Sequence, residues 1–195
     1  MSQGTSPKED FANYGNRLQA AVADADFKPV EALAHAMHAC WAAGNWVYLC
    51  GNGGSAGNAI HLANDLVYGV ADGKGPGMRA QALPANSSVL TCLANDIDYS
   101  EIFSFQIKTF CKPGDVLIVL SGSGNSPNIL KAIEAANELG VRSFGILGYS
   151  GGKAKDLLDT PIHFAIDDMQ IAEDLQLIVG HMIMQWLKRI TSDDG

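Results

Sequence analysis

The chain is 195 residues long, 47% hydrophobic and 17% charged, with a formal net charge of −8. Such a chain can enclose a core of its own, and its acidity argues against nucleic acid as a direct ligand, because phosphate backbones are held by clustered Lys and Arg. No apolar run reaches the roughly 18 residues that span a bilayer, and the polar opening 1–11 has no apolar secretory segment, so a cytoplasmic protein without membrane attachment is expected.

In chain order, residues 9–27 read as a first helix that ends before Pro29, and a second runs from about Pro29 to Ala43 with Gly44 just past its end. Val30, Leu33, Met37 and Trp41 recur on one face of that second helix. Then the period changes. Trp46–Cys50, Asp115–Leu120 and Val141–Leu147 are short continuous apolar runs, and Thr160–Ile166 is a weaker fourth. Each leads into Gly/Ser-rich residues and a helical pattern, which predicts parallel strands covered on both faces, an α/β fold. The last predicted helix, 169–190, is apolar over much of its circumference (Ile171, Leu175, Ile178, Val179, Met182, Ile183, Trp186), which suggests burial between subunits. No linker or repeat divides the chain: one domain over 1–195 is expected, with a helical arm at about 9–43 and an α/β core at about 46–190.

Cys40, Cys50, Cys92 and Cys111 stand apart in apolar stretches without CxxC spacing and read as small reduced core residues. His35, His38 and His163 lie away from the Gly/Ser loops and read as structural.

Two loops carry the functional signal. The first strand runs into Gly51-Asn52-Gly53-Gly54-Ser55-Ala56-Gly57, and the strand at 115–120 opens into Ser121-Gly122-Ser123-Gly124-Asn125-Ser126-Pro127. Gly51, Gly53 and Ala56 match the dinucleotide pattern loosely, but the acid that should end a second strand is absent, Asp72 standing in a Gly-rich loop; no Gly-Lys-Ser/Thr phosphate motif is present either. Glycines turn backbone N–H groups inward, serines add neutral donors and the helix start adds partial positive charge, so the pair forms a phosphate cradle that needs no Lys or Arg. On the helix after the first loop, His61 and Asp65 share a face at i, i+4; on the last helix Glu173 and His181 are eight apart, near two full turns. Two acid–His pairs together can form an N₂O₂ metal site.

The strings GNGGSAGNAIHLANDL, SSVLTCLANDIDYSEIF and LSGSGNSPNILKAI resemble the SIS (sugar isomerase) domain family, and within it the phosphoheptose (sedoheptulose-7-phosphate) isomerases. The resemblance implies a three-layer, flavodoxin-like parallel sheet. It also implies a homotetramer with sites between subunits, a sugar-phosphate substrate and one zinc per subunit. Carried over by position, it implicates Asn52, Gly53, Ser55, Asn95, Asp96, Ser121, Gly122, Ser123 and Ser126 in binding substrate, and His61, Asp65, Glu173 and His181 in holding zinc. Asp65 is then the base and His181 the acid of an aldose–ketose isomerisation. The chain departs from the family's pattern at Gly122 (usually Thr), Asp65 (Glu), Glu173 (Gln) and Gln170 (Asp), with Asp168 and Asp174 near enough to compensate for the last. An isomerase of another heptose or sugar phosphate stays open, as does a non-enzymatic adaptor that binds a sugar phosphate or a replication-initiation protein.

Overall fold

The computed structural model describes residues 6–71, 73 and 75–193; Asp72 lies outside them. Helices α1 (Pro7–Ala23) and α2 (Lys28–Ala42) precede β1 (Trp46–Gly51), α3 (Gly54–Val67) and β2 (Arg79–Ala82). Then come α4 (Ser87–Asp96), α5 (Ser104–Phe110), β3 (Val116–Ser121), α6 (Pro127–Glu138), β4 (Arg142–Leu147), α7 (Ala154–Leu157), β5 (Thr160–His163) and α8 (Met169–Asp193). All strand pairs are parallel, in the order β2-β1-β3-β4-β5, which is the flavodoxin-like order.

Strand side chains alternate between two cores. Val47, Leu49, Val116, Ile118 and Leu120 pack with α2, α3 and α8, whereas Tyr48, Cys50, Leu117 and Val119 pack with α4, α5 and α6. Since both faces are covered, Val47–Cys50 and Val116–Leu120 are apolar at every position, and this is why they read as unbroken runs.

Three expectations need revision. The first helix stops at Ala23, four residues early, and the last strand stops at His163. The span between the two loops holds an edge strand and two helices that its sequence did not announce: β2 is only Arg-Ala-Gln-Ala, poor in strand formers. Finally, the apolar surface of α8 is spent mostly inside the chain, since Ile171, Leu175, Val179 and Ile183 are buried against the sheet and only Met182 of the seven is exposed. The apolar face of α8 therefore does not by itself call for a partner.

Three cysteines are buried as expected, and burial pushes the Cys40 thiol up to about 11 and that of Cys111 to about 12. Cys92 is instead exposed on α4, its thiol directed at Asp96. His35 and His38 pack edge-on against Trp186, and His163 bonds the Tyr149 carbonyl at 2.9 Å.

Helix α1 has no fully buried residue and is tied to the start of α8 by two polar contacts, Tyr14 to Asp174 and Arg17 to Asp168. Asp168 and Asp174, the two acids able to stand in for Gln170, are thus engaged in holding this arm. The Ile171 N–H and then Arg17 hold the Asp168 carboxyl below its ordinary value. A carboxylate lowered on folding stabilises the fold above its unfolded pKa of about 4, and that contribution is lost as pH falls through the folded value. Thermal melts followed by circular dichroism are expected to show stability falling on the acid side of about pH 4, with Arg17→Ala weakening that acid dependence.

Candidate active site

β1 and β3 are neighbours in the sheet, Gly51 lying opposite Leu120. From their carboxyl ends the chain departs to opposite faces, into α3 on one side and α6 on the other. This is the switch point at which open parallel sheets bind ligands, and both Gly/Ser loops stand at it. The dinucleotide reading fails on geometry: the second strand ends at Ala82 and is followed by Leu83, Pro84 and Ala85, with no acid to hold a ribose.

Gly53 caps α3 with φ +54°, a backbone that favours glycine. Ser55 is buried, its hydroxyl accepting the Gln176 amide at 3.0 Å, and Gln176 in turn accepts Asn58 at 2.9 Å. In the second loop the Ser121 hydroxyl accepts the Gly124 N–H at 3.0 Å, and that of Ser123 accepts the Asn125 N–H at 3.3 Å. Ser126 stands at the N-cap of α6 with no capping bond from its side chain, at a helix start whose N–H groups and dipole favour an anion. Above Gly122, where a side chain would project, the Met169 sulfur lies 2.6 Å from the position of a Cβ; the first turn of α8 occupies that space. Segment 148–154 braces the loop from below, Gly148 N–H donating to the Gly122 carbonyl and Ala154 N–H to the Gly124 carbonyl, each at 3.0 Å.

The second feature lies where α3 and α8 run side by side. Gly180 permits the close approach, since any Cβ there would overlap Leu62. His61 Nε2 and His181 Nε2 are 3.0 Å apart, and Asp65 Oδ2 lies 3.4 Å from the first and 3.5 Å from the second. Two donors on a tetrahedral zinc at 2.0–2.1 Å stand about 3.3 Å apart, so this triangle has the dimensions of one face of such a coordination shell. The three form a group able to hold a metal ion. A three-donor set leaves a position for substrate, the pattern of catalytic rather than structural metal centres. Both histidine side chains are about half exposed, at 48% and 42%.

Comparison with known proteins accords with this geometry. Residues 10–148 match the model of the SIS domain. The phosphoheptose isomerase of Desulfovibrio desulfuricans is 39% identical over 147 residues, 75% of this chain and 70% of that one. That of Geotalea daltonii is 35% identical over 96% of this chain and 93% of its own. Among solved structures, the phosphoheptose isomerase of Neisseria gonorrhoeae superimposes with a TM-score of 0.86 at 26% identity, covering 94% of this chain and all of that one. The chain belongs to the SIS-domain family, among its phosphoheptose isomerases.

Within this SIS domain the remaining expected residues fall apart from the triangle. Glu173 lies on the same helix as His181, but its carboxylate rests against Gly54 at the start of α3, and it is not one of the three grouped donors. Asn95 and Asp96 close α4 and bond each other at 2.7 Å; the Asn95 amide holds the Asp96 carboxyl below its ordinary value. Neither residue bonds the triangle or the Ser loop. Gln170 is exposed on the first turn of α8. The residues that sequence reasoning missed are polar and supportive: Asn58, Tyr99, Asn128 and Gln176. The advance signal for Asn128 and Gln176 is an amide inside an apolar helical pattern, PNILKAI and LQLIVG; Tyr99 offered none.

Proposed function

We propose that the protein interconverts sedoheptulose 7-phosphate and D-glycero-D-manno-heptose 7-phosphate through an enediol. The observation that carries the reading is the His61–Asp65–His181 triangle in a member of the SIS family whose relatives are phosphoheptose isomerases. The Ser loop, through Ser121, Ser123, Ser126 and the start of α6, holds the phosphate, with Asn52, Gly53 and Ser55 supplying the wall opposite. Asn95, Asp96 and Gly122 are assigned to the sugar-binding rim.

Asp65 takes a proton from C1 of the ketose and delivers it to C2, while His181 serves the oxygens that exchange theirs. Asp65 places Oδ2 on the triangle and leaves Oδ1 outside it, beside Asn64, so one carboxylate can act as ligand and base. Zinc held by His61, Asp65 and His181 would supply a Lewis acid for the developing oxyanion; Glu173, expected as a fourth donor, rests against Gly54 and stands outside this set. Carboxylate and imidazole donors suit that ion. His61→Ala removes one of three donors, and titration calorimetry is expected to show zinc affinity reduced at least ~100-fold.

We read the chain as one domain of a cytoplasmic homotetramer. The partly exposed triangle stands on the two helices that also carry the exposed side chains of Ile60, Val67 and Met182, with exposed Tyr68 just past the end of α3, which fits a site completed by a second subunit. No helix among the described residues is long and apolar enough to cross a membrane. Because Asp65, Glu173 and Gln170 depart from the family's pattern, turnover should be compared on five-, six- and seven-carbon ketose phosphates. The seven-carbon substrate is expected to give the highest kcat/KM; a clear preference for a shorter sugar would redirect the assignment within the same reaction class.

A further inference from the structure

Asn52 is where the two loops meet. Its Nδ2 donates to Asn128 Oδ1 at 2.9 Å, and Asn128 Nδ2 donates back to Asn52 Oδ1 at 2.8 Å. The same Oδ1 accepts the Tyr99 hydroxyl at 3.2 Å. Asn52 directly follows β1, Asn128 is the second residue of α6, and Tyr99 opens a turn of 3₁₀ helix, Tyr99–Glu101. An amide oxygen has two lone pairs and its nitrogen two hydrogens. Both lone pairs of Asn52 are therefore taken by the protein, and one N–H remains for a ligand. Asn128 is only 1% exposed, so any polar atom left unpaired there would be desolvated without compensation.

We infer that Asn128 is a positioning residue for the isomerase: acting through Asn52, and helped by Tyr99, it fixes the spacing between the first Gly loop and the phosphate-holding Ser loop. The inference rests on the function proposed above. A sugar phosphate reaching from the metal triangle to the Ser loop touches both loops and is sensitive to their spacing. Inorganic phosphate touches the Ser loop alone and is not. The reciprocal pair is a two-bond strut between the residue after β1 and the first turn of α6, made of uncharged groups, so it holds the loops without adding a negative charge beside the phosphate.

Asn128→Asp is nearly isosteric, keeps the acceptor and loses the donor; Asn128→Ala removes both. In both variants, hydrogen exchange of amides 51–57 is expected to quicken about tenfold, the change that loss of one such bond produces. KM for sedoheptulose 7-phosphate should rise about tenfold with a smaller change in kcat, while competitive inhibition by inorganic phosphate stays within about twofold. Tyr99→Phe, which removes one of two donors to Asn52, should give a smaller rise in KM. Unchanged exchange and unchanged KM in both Asn128 variants would overturn the inference. So would a parallel loss of inorganic-phosphate inhibition, which would make Asn128 an ordinary support of the Ser loop. If the wild-type protein converts no sedoheptulose 7-phosphate, the assigned reaction falls, and the exchange of amides 51–57 alone decides whether the strut exists.

Discussion

Replacing Asp65 with Asn will reduce turnover of the sugar phosphate at least ~100-fold, the usual scale of a positioned general base, and will leave binding of inorganic phosphate unchanged. The side chain sits on α3 with Oδ2 at 3.4–3.5 Å from two imidazole nitrogens, whereas the Ser loop is built from β3 and α6 on the other side of the switch point. An Asn keeps the shape and one oxygen donor but cannot take a proton from carbon. The variant should therefore fold, and calorimetry with inorganic phosphate should return the wild-type affinity. Bound zinc must be counted in the same sample, so that loss of the base is separated from loss of the metal. Turnover within a few-fold of wild type would remove Asp65 from the base role.

Gly124→Ala is expected to do the converse. Gly124 has φ +65° and faces the Gly151 carbonyl so closely that a Cβ would overlap it. The left-handed backbone costs an alanine about 1–2 kcal/mol, and the facing atoms are themselves backbone, with Gly152 at φ +54° equally close to the Ser loop. The loop must shift away from its brace, withdrawing the Ser121 and Ser123 hydroxyls from their bonds to the Gly124 and Asn125 N–H groups. Affinity for inorganic phosphate and for the sugar phosphate should fall roughly tenfold or more, while zinc binds the α3–α8 triangle as before. Zinc and phosphate titrations of this variant and of Asp65→Asn, run side by side, test whether the site has the two separable halves described. Wild-type phosphate affinity in Gly124→Ala would mean the Ser loop is not the phosphate cradle.

The sheet was legible where burial on both faces forces unbroken apolar runs: Trp46–Cys50 and Asp115–Leu120 read from the sequence fall on the strands Trp46–Gly51 and Val116–Ser121. It was not legible at β2, an edge strand whose pairing to Trp46–Leu49 comes from tertiary context rather than composition. At the site, i, i+4 spacing sufficed to place His61 beside Asp65. Bringing His181 to them depends on the close packing of α3 on α8 at Gly180, which no local pattern encodes. The eight-residue spacing of Glu173 and His181 does put both on one face, yet it also separates them by about 12 Å along the axis, and the Glu173 carboxylate rests on Gly54 instead. The resemblance implicated Ser55 and Ser121 in binding; it could not show that their hydroxyl oxygens also accept from the Gln176 amide and the Gly124 N–H. The Asn52–Asn128 pair escaped for the same reason, since a reciprocal amide bond across 76 residues has no periodicity to detect.

The most direct test is to incubate metal-analysed protein with sedoheptulose 7-phosphate in deuterated water and follow the sugar by NMR. The account predicts that the aldoheptose 7-phosphate appears with solvent deuterium at C2, that a chelator stops the conversion and that zinc restores it. A zinc-loaded protein that binds the sugar phosphate but produces no aldose and exchanges no deuterium would contradict it.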